Sequence, residues 1–186
     1  YSNLISANSQ GGVRIEGPDS RGNIVQNNTI GPDAAGVTSL GTQAEGVAVV
    51  NAPDNTVGPA NTISGHTRDG VRFAGAQAVG NVVRGNHIGT TAAGDAQLTN
   101  SRFGVMVEPD AHHNRIGTDV EGNVISGNGY AGEYGRYGGV GIAHAAHNAL
   151  CNNLIGLSGS GTVVIPNAGS GIWLSDAAQH NVIGKG

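Results

Sequence analysis

Cysteine occurs once in these 186 residues, at Cys151, so no disulfide framework can form within the chain. Methionine and tryptophan also occur once each and phenylalanine twice, which removes most of the large side chains on which a globular core usually rests. Charged residues make up only 12%, the net charge is −4 and Lys185 is the sole lysine. With no basic patch and no basic–aromatic interleaving, nucleic acid is excluded as a partner. No apolar run approaches about 18 residues, which excludes a membrane-spanning helix. The sequence opens on Tyr1 without a basic-then-apolar leader and reads as a mature or excised chain.

Glycine is abundant, with 33 residues, and valine and isoleucine carry the apolar content. Branched residues among glycines and asparagines favour short strands joined by tight turns. A tetrad of the form G-V-x-I occurs six times, beginning at Gly12, Gly46, Gly70, Gly104, Gly139 and Gly171. Within it the apolar residues sit two apart, as in Val13 and Ile15 or Val71 and Phe73, the period of a strand with one buried face. Two further short strands lie between tetrads, each opened by asparagine. One set opens at Asn23, Asn55, Asn81, Asn114, Asn148 and Asn181. The other opens at Asn3, Asn28, Asn61, Asn86, Asn123 and Asn153.

Three strands and three turns per unit predict one triangular coil of a solenoid. A coil cannot bury its apolar face alone, so stacking must close the core. Asparagines stacked at the same bend can bond to one another and to turn backbone, giving two ladders that fix the register. Alternate coils carry a 14-residue insertion, at Pro32 to Glu45, Thr90 to Phe103 and Leu157 to Ser170. Each keeps glycine fifth (Gly36, Gly94, Gly161) and an aliphatic residue ninth (Leu40, Leu98, Ile165). This predicts a folded loop whose aliphatic residue caps the core. A separate insertion at Gly129 to Gly139 holds Tyr130, Tyr134 and Tyr137, an adaptable recognition surface or an edge lid.

The pattern N-x-I-x-x-N-x-I-G-T-x-x-x-G followed by G-V-x-I, best seen in "NHIGTTAAGDAQLTNSRFGV", resembles the right-handed parallel β-helix repeat family. It is similar to the long-loop version found in large bacterial surface or secreted proteins. The resemblance covers essentially the whole chain and implies an all-β, single-stranded, right-handed parallel β-helix of about six coils, with an extracellular or cell-surface location. Residues 1–186 then form one β-helix domain. Both ends fall in mid-coil, so further coils of a parent chain, or end-to-end stacking of copies, are expected partners. Related families on this fold include pectate and alginate lyases, polygalacturonases, C5-epimerases, phage tailspikes and adhesins, so fold alone does not choose a function.

The acidic residues are spread singly, and the paired acids and placed base of polysaccharide lyases and hydrolases are absent as strings. We therefore expect no catalytic residue and no cofactor, and a structural, adhesive or glycan-contacting role. The alternative is a lyase, epimerase or hydrolase acting on uronate-rich glycans. The outward face of the tetrad strands supplies the candidate glycan contacts. Trp173 can stack on a sugar, and Arg14 and Arg72, two coils apart, can pair with uronate carboxylates. Glu108 on the same face and Tyr134 and Tyr137 in the insertion complete the set. His113, His147 and His180 each precede a ladder asparagine, predicting an imidazole column. It is a weak candidate for zinc or copper, and more simply a set of bend residues.

Overall fold

The computed structural model describes residues 2–41, 43–130 and 137–184. These contain no helix, and so none long and apolar enough to cross a membrane. Eighteen strands, numbered in chain order, form three parallel sheets of six. Sheet one comprises β1 (Leu4–Ile5), β4 (Thr29–Ile30), β7 (Thr62–Ile63), β10 (His87–Ile88), β13 (Val124–Ile125) and β16 (Leu154–Ile155). Sheet two comprises β2 (Gly11–Glu16), β5 (Glu45–Val50), β8 (Val71–Ala74), β11 (Val105–Val107), β14 (Val140–Ala143) and β17 (Ile172–Ser175). Sheet three comprises β3 (Ile24–Val25), β6 (Thr56–Val57), β9 (Val82–Val83), β12 (Arg115–Ile116), β15 (Ala149–Leu150) and β18 (Val182–Ile183). The chain visits the sheets in turn, and every third strand pairs with its counterpart one coil away. The result is a parallel β-solenoid with five steps from first layer to sixth.

Register follows the repeat. Val13, Val47, Val71, Val105, Val140 and Ile172 align in one inward column, and Ile15, Val49, Phe73, Val107, Ile142 and Leu174 in the next. In the inner layers these side chains are fully buried; Leu174, in the last layer, is 41% exposed. Ile30, Ile63, Ile88 and Ile125 line the wall from sheet one, and Val57, Val83, Ile116 and Leu150 from sheet three. Each buried Val or Ile contributes about 1.5–3 kcal/mol relative to exposure, so the core is a sum of small aliphatic increments.

Both asparagine ladders form. In the first, Asn23 Nδ2 donates to Asn55 Oδ1, Asn81 to Asn114, Asn114 to Asn148 and Asn148 to Asn181, at 2.9 to 3.2 Å. At Asn55 the link to Asn81 Oδ1 is made by the backbone N–H instead. In the second, Asn3, Asn28, Asn61, Asn86 and Asn123 each donate to the next rung, ending at Asn153. The residue before each first-ladder rung takes positive φ: Gly22, Asp54, Gly80, His113, His147 and His180, at φ 55° to 70°. That bend favours Gly, Asn, Asp and His.

A third ladder stands at the remaining corner, which the sequence spacing does not mark. Asn100 Nδ2 donates to Asn128 Oδ1 and Asn128 Nδ2 to Asn167 Oδ1. The same nitrogens reach back to the carbonyls of Ile63 and Ile88, and Asn167 to that of Ile125. In the first two coils the rung is Gln43, whose amide nitrogen faces the Ile5 carbonyl, and His66, whose Nε2 faces the Ile30 carbonyl. The long insertions hide the column, because the rung lies at the end of each insertion, and because its first members are not asparagine.

The tetrad glycine has a steric cause. A Cβ on Gly70 would lie 2.6 Å from the Gly104 carbonyl oxygen, 2.7 Å from Ile88 Cγ2 and 2.8 Å from Asn100 Nδ2. All three atoms belong to neighbouring structure that the ladder holds still. Gly70→Ala is therefore expected to lower unfolding free energy by about 2 kcal/mol, the usual scale of overpacking, measured by urea denaturation.

The three insertions fold alike, each closed by an antiparallel bridge: Pro32 with Ser39, Thr90 with Gln97 and Leu157 with Val164. Gly36, Gly94 and Gly161 sit at φ 70° to 73°, the turn conformation that explains the fixed glycine. The aliphatic cap is corrected. Ile165 is 5% exposed but Leu40 is 47% exposed. What the ninth position shares is its backbone: Leu40, Leu98 and Ile165 each donate N–H to the glycine carbonyl that precedes the loop. Ala92 N–H to the Gly36 carbonyl and Gly159 N–H to the Gly94 carbonyl join successive loops into one ledge.

Candidate functional site

Sheet two has the longest strands, so its outer face carries the longest rows of outward side chains. One outward column reads Arg14, Ala48, Arg72, Met106, Gly141, Trp173. Arg14 and Arg72 do share a column, and each already has a carboxylate. Arg14 grips Glu16 through Nε and Nη2, at 2.7 and 2.9 Å, and holds that exposed carboxyl below its usual range. Arg72 Nη2 lies 2.8 Å from Glu108 Oε2, a half-buried pair. Farther along, Arg68 meets Glu45 at 3.3 Å. The arginines are thus engaged before any uronate arrives.

At Gly141 the outward column has no side chain, and Phe103 fills the gap. A Cβ there would lie 2.8 Å from Met106 Sδ and 2.9 Å from Phe103 Cε2. Phe103 lies near-parallel to Trp173, with centroids 5.8 Å apart and planes 14° apart. Tyr137 meets Phe103 edge-on at 5.6 Å, and the Arg102 guanidinium lies 5.4 Å from the Tyr137 ring centre. Phe103 is 3% exposed, so it is the foundation of an aromatic wall whose open surface comes from its neighbours. Tyr134 lies outside the described residues.

The wall bounds a recess of about 180 Å3 whose lining includes Asp69, Arg102, Met106, Glu108, Trp173 and Asp176. Asp69 is the unexpected member. It is 3% exposed, and its Oδ1 accepts the Phe103 N–H at 3.0 Å. Burial pushes the Asp69 carboxyl up to about 6; Glu45 and Glu108 add to this, while the Phe103 N–H and Arg102 oppose it. Reading the acidic residues one by one along the chain gives Asp69 and Phe103 no prominence. Both immediately precede a tetrad glycine, so aligning that one position across coils sets Glu45, Asp69 and Phe103 side by side.

The histidine column is real. His113 and His147 stack at 4.9 Å and 16°, and His147 and His180 at 5.1 Å and 12°. Their cause is the bend: histidine occupies the positive-φ position that Gly or Asp takes in earlier coils. Parallel rings aim their nitrogen lone pairs side by side, not at a common point. His112 Nδ1 does approach His113 Nδ1, at 2.8 Å, beside an open trough that also touches His144 and Asp110. Among the described residues no group of three or more His, Cys, Asp or Glu is arranged to hold a metal ion.

No protein-family model matches this chain, and neither a curated protein nor a solved structure matches it significantly.

Proposed function

We propose that this chain is a right-handed, long-loop β-helical module of an extracellular or cell-surface protein, bacterial in type, that contacts glycan on the outer face of sheet two. The observation that carries the reading is the aromatic wall of Phe103, Tyr137 and Trp173 beside the Asp69 and Glu108 carboxylates. Sugars are bound by a ring face against their C–H surface and by acceptors for their hydroxyls, and this recess pairs the two on a rigid scaffold. Retention on immobilised polysaccharides tests it. Trp173→Ala is expected to weaken retention about tenfold, equivalent to about 1.4 kcal/mol, with the thermal midpoint little changed. Unchanged retention removes Trp173 from the site.

A second reading is a polysaccharide-processing enzyme. It is favoured by Asp69, whose carboxyl near 6 lies in the range of a general acid at neutral pH. Incubation with uronic-acid polymers, followed by absorbance of unsaturated ends, decides the lyase form. Product that disappears in Arg72→Ala supports it, and no product from the unaltered protein rejects it.

A further inference from the structure

Granting the glycan reading, we propose that the recess selects an amine-bearing sugar: a hexosamine whose free ammonium sits against Asp69 and Glu108 while its ring lies along the aromatic wall. The charges in the recess give the sign. Among the described residues Asp69, Glu108 and Asp176 line it against the guanidinium of Arg102. Even with Glu108 neutralised by Arg72, two carboxylates face one cation among those residues. Arg102 is itself drawn over the Tyr137 ring, and Arg68 is held by Glu45.

The second observation is Asp69 itself. Its side chain is nearly sealed from solvent, yet among the described residues the only hydrogen bond to its carboxylate is that of the Phe103 N–H on Oδ1. Oδ2 accepts none from these residues, and the carboxylate borders the cavity. A buried carboxylate without a hydrogen-bonded cation is costly, and a ligand that brings the cation recovers that cost. An ammonium also gains from facing Trp and Tyr rings. A uronate would add like charge to the recess, and an N-acetylated amine would bring no charge.

The test is calorimetry at low salt and pH 7 with three tetrasaccharides: glucosamine, N-acetylglucosamine and galacturonate. The glucosamine tetramer is expected to bind at least tenfold more tightly than the others. Asp69→Asn, which keeps the shape and the acceptor for Phe103 N–H, should abolish that preference. At pH 5 Asp69 is protonated, with Arg68, Glu45, Arg102, Glu108 and Arg72 around it. The glucosamine tetramer should then lose affinity several-fold in the native protein and not in Asp69→Asn. Ethanolamine, an amine without a ring, should give no heat; heat equal to the tetramer's would overturn the sugar assignment. Equal or tighter binding of the N-acetylated or uronate tetramer would overturn the charge selection and leave the glycan reading standing. Absence of heat from all three would sink both.

Discussion

Asn114→Ala is expected to cost about 4 kcal/mol, enough to unfold much of the population of a marginally stable domain. Asn114 is fully buried in the middle of the first ladder. Its Oδ1 accepts both the backbone N–H and the Nδ2 of Asn81, at 3.0 Å each. Its Nδ2 donates to the Ala78 carbonyl and to Asn148 Oδ1. Truncation removes four hydrogen bonds and leaves the Asn81 N–H without its acceptor in a dry interior, while Asn81 Nδ2 keeps the Ala52 carbonyl and the Ala78 carbonyl keeps the His112 N–H. The orphaned N–H costs about 1–3 kcal/mol and each of the other lost bonds about 1 kcal/mol, so the sum stays large. The matched control is Asn23→Ala. Asn23 donates through both backbone N–H and Nδ2 to Asn55 Oδ1, but it stands exposed in the first layer, where water can replace its amide. Its loss should cost about 1 kcal/mol or less. Urea titrations of the two variants distinguish a ladder that holds the fold from a decorative one; similar small losses at both positions would show the latter.

His66→Asn is expected to remove an acid sensitivity of about 3 kcal/mol between pH 7 and pH 4. His66 is 1% exposed; its Nε2 lies 3.1 Å from the Ile30 carbonyl and so carries the proton, leaving Nδ1 buried without a partner. Burial lowers the imidazole to about 4, against the opposing effect of the Ile30 carbonyl. Above about 6.5 both folded and unfolded chains hold it neutral. As pH falls from there toward 4, only the unfolded chain takes up the proton, and folding is progressively disfavoured.

Asp69 works in the opposite direction over an overlapping window. Its folded carboxyl, raised to about 6, takes up a proton before the unfolded one does, so acidification through 6 toward 4 favours folding. The unaltered protein therefore shows the difference of two opposed terms. The separating measurement is the stability of His66→Asn minus that of the unaltered protein at each pH, which cancels the groups common to both. That difference should rise on acidification. The introduced asparagine would also supply the amide that this ladder uses at Asn100, Asn128 and Asn167. A difference flat with pH would mean that His66 is hydrated or already charged in the folded state.

How much of this is written in the linear chain depends on which interactions repeat. The tetrad valines, the two ladders and the fixed glycines of the loops recur at a regular period, so periodicity alone marks them. Asn55 linking through its backbone N–H instead of its side chain changes nothing in the column, because the bend places both groups together. The third ladder is hidden for the converse reason. Its rungs are Gln43, His66, Asn100, Asn128 and Asn167, three residue types that serve one geometric role. The exposed Leu40 carries the same lesson: its spacing is shared, but what the spacing preserves is a backbone bond to the Gly31 carbonyl.

The repeat by itself determined the architecture: three faces, stacked coils, an aliphatic interior and asparagine bends, because each coil must satisfy the same burial and hydrogen-bonding demands as the one beneath it. The recess was decided only in three dimensions. Asp69, Phe103, Tyr137 and Trp173 come from four successive coils; Asp69 and Phe103 share the position before a tetrad glycine, but the residue type there changes from coil to coil, so no repeated residue marks the site. Parallel stacking puts residues some 34 positions apart at hydrogen-bonding distance, as at Phe103 N–H and Asp69, so a carboxylate that looks solitary along the chain meets its neighbours only once the coils are laid on one another.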